Sequence, residues 1–391
     1  MGGYHHHLSV AVPLLAESES LPHLLDHFRA QSSRNFDLYF CVNQPETWSS
    51  PGPSHALYLE NQACLAMLSQ VEDLPLHIID RSSQGRGWTE KKKGVGWARK
   101  VLFEAIIQQC DEKELIVSMD ADTVFPDDYF EKLLASINRH PTASAICVPY
   151  YHPLGGDDTT DRAMLRYECY MRHYLINLLQ IQSPYAFSAL GSAMAFPAWA
   201  YRRVGGITPL QGGEDFYLMQ KFAKTGFLVR DIDTCVYPQG RISHRVPFGT
   251  GPAIARGVAN QEDSYPFFAA EGFQHVKQTT DLFPQLFSHD IETPLSDFLR
   301  KQLNTDDLWG PLRKNFKRQD LFVHACHERL DGLRILQYLK SLSRFETQIP
   351  DFASDPIPQL NTYRDELFQK ELHLRKTIDT ESLESSPKSQ L

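Results

Sequence analysis

Several things this chain does not have narrow its possible chemistry. Its seven cysteines, at positions 41, 64, 110, 147, 169, 235 and 326, stand singly, with no C-x-x-C pair. That excludes a disulfide framework and reads as reduced thiols in a cytosolic compartment. There is no basic surplus: 39 Lys and Arg stand against 48 Asp and Glu, a formal net charge of −9. Nucleic acid is therefore not an expected partner, because such binding needs a positive surface. No G-x-G-x-x-G follows the first apolar run and no G-x-x-x-x-G-K-[ST] occurs anywhere, so a dinucleotide-binding Rossmann domain and a P-loop nucleotide triphosphatase are both excluded. The uncharged stretch from Ile176 to Tyr201 is broken by Pro184, Gly191 and Pro197 and by several Ser and Gln. It fails as a membrane span and reads as buried loop and helix lining a pocket. Met1 to His7 lacks the basic start and apolar core of a secretion signal. A soluble, cytoplasmic protein is expected.

What is present is an alternation of strand and helix patterns. With 391 residues, 42% of them hydrophobic, the chain has room for one large domain and an appendage. Leu8 to Pro13 reads as a first strand, and Ser20 as the cap of a helix with Leu21, Leu24, Leu25 and Phe28 on one face. Strands follow at Phe36–Val42 and Leu76–Asp80, with helices over about Ala56–Val71 and around Ala98–Ile106. Such alternation implies a mostly parallel sheet covered on both faces. After Ala143–Val148 the pattern becomes irregular and helical through Tyr201. Beyond Gln261 no strong strand signal appears, and Leu330, Leu333, Leu336, Leu339 and Leu342 mark an amphipathic helix. The expected organisation is a catalytic domain over 1–262, a helical region over 263–378 and a disordered, Ser-, Glu- and Lys-rich tail over 379–391.

The chemistry concentrates in two acidic pairs. The apolar run Leu115-Ile-Val-Ser ends in Met119-Asp120-Ala-Asp122-Thr123, and ligands in open α/β sheets gather at the carboxyl ends of strands. Two carboxylates there make a hard oxygen site suited to Mg²⁺ or Mn²⁺, which keep waters and bridge substrate phosphates. Alone the triplet is a common acidic turn. Here a helix follows it, with Phe130, Leu133, Leu134 and Ile137 at helical spacing, so it occupies a strand-to-helix connection. The second pair, Glu214-Asp215, follows Gly212-Gly213 and opens another apparent helix. Acidic residues favour any first helical turn, but a metal site followed by a separate carboxylate pair also suits a transferase acting on a nucleotide-activated substrate. Lys91-Lys92-Lys93-Gly94-x-Gly96 and Arg99 crowd positive charge where a helix dipole disfavours it; an anion between them resolves the conflict, with Lys91 and Lys92 read as solvated. Trp88, Trp97, Trp199 and Tyr201 read as packing, Trp88 being the best candidate for stacking on a ligand.

Taken in order, Val12-Pro13 with Glu17 downstream, Gly94-Val-Gly96-Trp-Ala98-Arg99-Lys100, Asp120-Ala-Asp122, Gly205-Gly206 and Gly213-Glu214-Asp215 resemble the family 2 glycosyltransferases, over roughly residues 8–250. The resemblance implies an α/β fold of the GT-A type, a mostly parallel sheet flanked by helices, here with a C-terminal helical appendage. It implies that Asp120 contacts the donor ribose or the metal, that Asp122 ligates Mn²⁺ or Mg²⁺, and that Asp215 is the base, with Glu214 beside it. Pro13, Glu17, Asn43 and Arg99 fall at donor-contact positions. His244 is implied as a further metal ligand and Arg245 as a contact of a loop closing over the diphosphate, with Gly249 and Gly251 as hinges. Asn43-Gln44 stands where the family commonly carries a base-reading aspartate, so uridine is not implied. The Q-x-x-R-W motif and membrane helices of processive synthases are absent, which points to addition of one sugar. The expected function is metal-dependent, inverting transfer from a nucleotide-sugar donor to a glycan or glycolipid acceptor. A degenerate nucleotide-sugar binder and a sugar nucleotidyltransferase are the alternatives; Pro13-Leu-Leu-Ala-Glu17 lacks the glycine-rich loop of the latter. Eight Lys or Arg against three acids between Pro311 and Phe345 raise a peripheral membrane contact beside the reading of solvated faces.

Overall fold

A computed structural model describes residues 5–230, 232–241, 249–259 and 265–385, with side chains through Asp379. The chain divides into two compact units, Met1–Tyr167 with Phe187–Gln261, and Glu168–Ala186 with Glu262–Leu391.

The first unit alternates strand and helix. It begins with β1 (Leu8–Leu14), α1 (Leu21–Ala30), β2 (Phe36–Asn43), α2 (His55–Ser69), β3 (Leu76–Arg81) and α3 (Val95–Gln109). Next come β4 (Leu115–Ser118), β5 (Thr123–Val124), α4 (Tyr129–Arg139), β6 (Ala145–Cys147) and the first part of α5 (Asp158–Gln180). It continues with β7 (Met194–Pro197), α6 (Ala198–Arg203), α7 (Glu214–Thr225), β8 (Leu228–Val229), β9 (Tyr237–Pro238) and α8 (Thr250–Val258).

Seven strands form one sheet in the order β3-β2-β1-β4-β7-β6-β8, parallel except for β7. The α/β class expected from the alternation is the one observed. Side chains on neighbouring β2 residues point to opposite faces: Phe36 and Phe40 contact Phe28 of α1, while the hydroxyl of Tyr39 reaches Gln109 of α3. Phe28 and Phe36 also meet Phe130 of α4. Phe196 of β7 gathers Phe103, Tyr201 and Phe222 from α3, α6 and α7. Each such ring withdrawn from water contributes about 1.5–3 kcal/mol.

Three local expectations are corrected. Ser20 stands at the N-cap of α1, but its backbone is already helical and its hydroxyl makes no cap bond; the Glu17 and Ser20 carbonyls accept the N–H groups of Leu21 and Leu24. The uncharged stretch 176–201 contains a strand: β7 inserts antiparallel between β4 and β6. A four-residue apolar run carries too little periodicity to separate strand from helix. The tail also orders further than its composition indicates, because the last helix runs to Ser385 and Asp379 is buried.

The second unit holds the rest of α5, followed by α9 (Ala270–Asp281), α10 (Phe283–Leu286), α11 (Ser296–Leu303), α12 (Gly310–Asn315), α13 (Gln319–Arg329), α14 (Gly332–Leu342) and α15 (Ile357–Ser385). Its interior contains ions. Arg172 donates to Glu168 at 2.5 and 2.9 Å and to Glu371 at 2.6 Å, and Arg375 donates to Glu371 at 2.8 Å. Arg364 lies 3.5 Å from Glu168, and the Arg172 guanidinium rests 4.3 Å above the Phe368 ring. Glu168, Arg172 and Glu371 are fully buried. Among the basic residues of 311–345, Arg313, Arg318, Arg334 and Arg344 pair with Asp290, Asp320, Asp331 and Glu271, and Arg329 donates to the Leu308 carbonyl. No described helix is long and apolar enough to cross a membrane.

Candidate active site

In the strand order the direction of progression reverses between β1 and β4, and a crevice at such a switch point is where α/β sheets bind ligands. Glu17 follows β1, and Asp120 and Asp122 follow β4. The Met119 N–H gives its bond to the Ala11 carbonyl, just past the Ala11–Ser118 pair that ends the β1–β4 register, so Pro13, which has no N–H to give, lies beyond that pairing. The turn after β1 is held from α2: the N–H of Ala16, in the left-handed region at φ 54°, donates to Asn61 Oδ1 at 2.8 Å.

The residues after β4 fold back through a two-stranded ribbon in which Thr123 pairs with Pro238 of β9. That pairing returns the chain to the switch point three residues later, at Arg241. Its Nη2 donates to Glu17 Oε1 and lies 3.1 Å from Asp122 Oδ2. Asp122, with 17% of its side chain exposed, has its carboxyl pushed up to about 7 by burial and by Asp120 and Glu17, against the pull of Arg241.

Arg99 of α3 joins the two acidic pairs. Its guanidinium donates to Asp120 Oδ1 at 2.6 Å and to Glu214 Oε1, and only 4% of the side chain is exposed. Burial works against that charge, but Asp120, Glu214 and Asp215 around it hold its pKa above the ordinary arginine value. Two glycines make the placement possible. A Cβ on Gly191 would fall 1.9 Å from Arg99 Nη2, and a Cβ on Gly96 would fall 2.2 Å from the Leu210 carbonyl oxygen. The first turn of α3 is therefore packed on the loop that leads to Glu214. Gly96 serves close approach of backbone to backbone, and the Arg99 guanidinium forms a buried link between carboxylates. Lys91 and Lys92 are exposed.

Glu214 is buried, and Asp215 accepts the N–H of Phe216 at 2.7 Å. Gly213 takes the left-handed conformation that starts α7 at φ 79°, which favours glycine. Burial and the adjacent Glu214 raise the Asp215 carboxyl above the usual aspartate range, with Arg99 opposing them. Glu17, Asp120, Asp122, Glu214 and Asp215 thus form one electrostatic neighbourhood of five carboxylates holding two guanidiniums, Arg99 and Arg241.

Asn43 is tied to the turn before Glu17, since Asn61 donates to its carbonyl at 3.4 Å and accepts the Ala16 N–H. The Asn43 Nδ2 donates to Leu14 O at 2.8 Å and its Oδ1 accepts the Trp88 indole N–H at 3.3 Å, so it ties the end of β1 to the loop that carries Trp88. Trp88 is buried, with the Arg81 guanidinium 5.2 Å from its ring centroid, which fits packing. His244 and Arg245 lie outside the described residues. Arg241, Gly191 and Asn61 went unassigned in sequence reasoning, because their partners are 224, 92 and 45 residues distant in the chain (Glu17, Arg99 and Ala16) and no local pattern marks them.

Residues 115–259, which run from β4 through α8, match the family model described as Glycosyl transferase family group 2. The matched segment contains both acidic pairs and Arg241, while Glu17 and Arg99 precede it. No curated protein sequence matches the chain. Among solved structures it is similar to S. aureus TarS 1-349 in complex with UDP, at 12% identity and a TM-score of 0.42, covering 88% of this chain and 95% of that one. It is also similar to a mannosyltransferase from Pyrobaculum calidifontis in complex with GDP-Man and Mn²⁺, at 13% identity and a TM-score of 0.41, covering 99% of this chain and 89% of that one.

Proposed function

We propose that this glycosyltransferase moves one sugar from a nucleoside-diphospho-sugar to a hydroxyl of a glycan or glycolipid acceptor, with inversion, and that Asp215 is the base. The supporting observation is the setting of Asp215. A carboxyl held above its ordinary range by burial and by Glu214, next to a fixed Arg99, accepts a proton near neutral pH. In one displacement the acceptor oxygen bonds to the anomeric carbon as the bond from that carbon to the diphosphate oxygen breaks. The acceptor proton goes to Asp215, and the sugar carbon passes through an oxocarbenium-like state. Arg99 acts through Asp120, Glu214 and Asp215 as a positioning residue.

Asp122 is engaged by Arg241 and Asp120 by Arg99, and His244 lies outside the described residues. Asp120, Asp122 and His244 are the residues that would hold Mn²⁺ or Mg²⁺, which would stabilise the charge on the departing diphosphate; no step is routed through the ion. Peripheral membrane contact forms no part of this reading, since five of the eight basic residues of 311–345 are spent on partners within their own unit.

The test is release of nucleoside diphosphate from a panel of nucleotide sugars, with glycan and glycolipid acceptors supplied. Turnover by the intact protein is expected, with Asp215→Asn lowering kcat by about 10²–10⁴-fold while calorimetric donor affinity is retained. No turnover with any donor and acceptor, despite nucleotide-sugar binding, would leave the chain a binder.

A further inference from the structure

The short ribbon of β5 and β9 turns its apolar side chains toward water. In an antiparallel pair successive side chains alternate between the covered and the open face, and the open face ordinarily carries the polar ones. Here the order is reversed. Thr123 is 2% exposed, its hydroxyl has no hydrogen-bond partner among the described residues, and Pro238 opposite it is buried. The next residue, Phe125, is buried against Phe28 of α1 and Phe130 of α4. Val124 and Tyr237, which face each other across the ribbon, are 38% and 36% exposed. Only seven large hydrophobic side chains of the described residues are this exposed, and two of them make this one cross-strand pair. Folding alone gives no reason to turn valine and tyrosine outward and threonine inward.

The pair adjoins the candidate active site. Asp122 immediately precedes Thr123, Arg241 follows Pro238 by three residues, and these two side chains meet at 3.1 Å. Val124 is two residues from Asp122, at most about 7.6 Å along the chain, a distance that one sugar ring spans. The C–H groups on one face of a sugar ring make an apolar surface that an aromatic ring and a branched aliphatic chain can cover, while the hydroxyls at its rim stay in water. Resting on the transfer reading above, we propose that Val124 and Tyr237 form the platform on which an acceptor sugar lies, one ring outward from the acids. Two side chains offer far less area than a stable protein interface needs, so a small flat ring fits the place better than a protein partner. The transferred sugar has to lie among the acids, where Asp122 is 17% exposed; the more open ribbon pair suits the molecule that receives it.

The test is an array of immobilised oligosaccharides and glycolipids, which reads binding without turnover. The intact chain is expected to bind at least one class of glycan, with Tyr237→Ala lowering the affinity about tenfold and Val124→Ser lowering it less. Tyr237→Phe keeps the ring and is expected to keep the binding. Thermal melts check that these exposed substitutions leave the fold intact. For a bound glycan that also serves as acceptor, Tyr237→Ala is expected to raise the acceptor KM while kcat and calorimetric donor affinity stay as in the intact chain. Binding unchanged in both Tyr237→Ala and Val124→Ser would overturn the proposal. So would binding lost equally in Tyr237→Phe, or no glycan bound by the intact chain. Glycan binding that needs Tyr237, without turnover of any nucleotide sugar, would count against the transfer reading and leave the sugar-binding face standing.

Discussion

The two units each hold a group of acids and arginines with opposite design. In the second unit Glu168 and Glu371 are sealed from water, and each receives guanidinium groups from two arginines. Among the described residues of the first unit, two arginines serve five carboxylates, Asp120 keeps 37% of its side chain exposed, and Asp215 makes no ion pair. Buried ions of opposite sign paired in this way tie helices together. Ions left with surplus charge of one sign at the mouth of a sheet keep an unspent affinity, for protons or for cations. The difference between a structural and a reactive cluster lies in the ratio of charges and in access to water, since the residue types are the same.

Substitutions in the two clusters should therefore fail differently. Arg172→Met removes the central charge of the sealed group and strands Glu168 and Glu371; a loss of about 3–5 kcal/mol is expected in denaturant unfolding, with nucleoside diphosphate affinity of the surviving folded protein unchanged. A smaller stability change with altered affinity would erase the distinction. Gly191→Ala forces a methyl into the Arg99 guanidinium, which must shift off Asp120 and Glu214. Overpacking of this kind costs about 1–3 kcal/mol, and here turnover should fall as well, which a purely structural site would not show.

The smallest effect carries the opposite sign. The folded-state pKa of Asp122, about 7, lies above that of an unfolded aspartate, so between roughly pH 4 and 7 the folded chain binds more protons than the unfolded one. Stability from this group is present at low pH and is lost as pH rises through 7. Asp122→Asn is expected to flatten that slope and to stabilise the metal-free protein at pH 8 by on the order of 1 kcal/mol. Urea melts at pH 5 and 8 measure it; an unchanged difference between the two pH values would remove Asp122 as its source.

How far the sequence disclosed this arrangement depended on chain distance. The strand before Asp120 was legible because Leu115-Ile-Val-Ser is short, apolar and β-branched, and the start of α7 because Gly213 precedes two acids. The i,i+4 pair Glu168 and Arg172 is visible on any helical projection. Its completion by Glu371 is not, because 199 residues intervene. Likewise Asp122 announces an acidic site, while the arginine that neutralises it arrives by a ribbon of two residues per strand, too short for a periodic signal. Strand β7 was missed for the same reason. Gly96 invited a phosphate-loop interpretation because glycine signals close approach without saying whether ligand or protein approaches.

That last residue has a mechanical consequence. With no space at position 96 for even a Cβ beside the Leu210 carbonyl, α3 and the segment ahead of α7 have no room to slide past one another. Any rearrangement that carries Glu214 must carry the start of that helix with it. Attempts to retune substrate preference by grafting new sequence between Ile207 and Gly213 will succeed only where the graft preserves the groove into which the bare backbone of α3 is set.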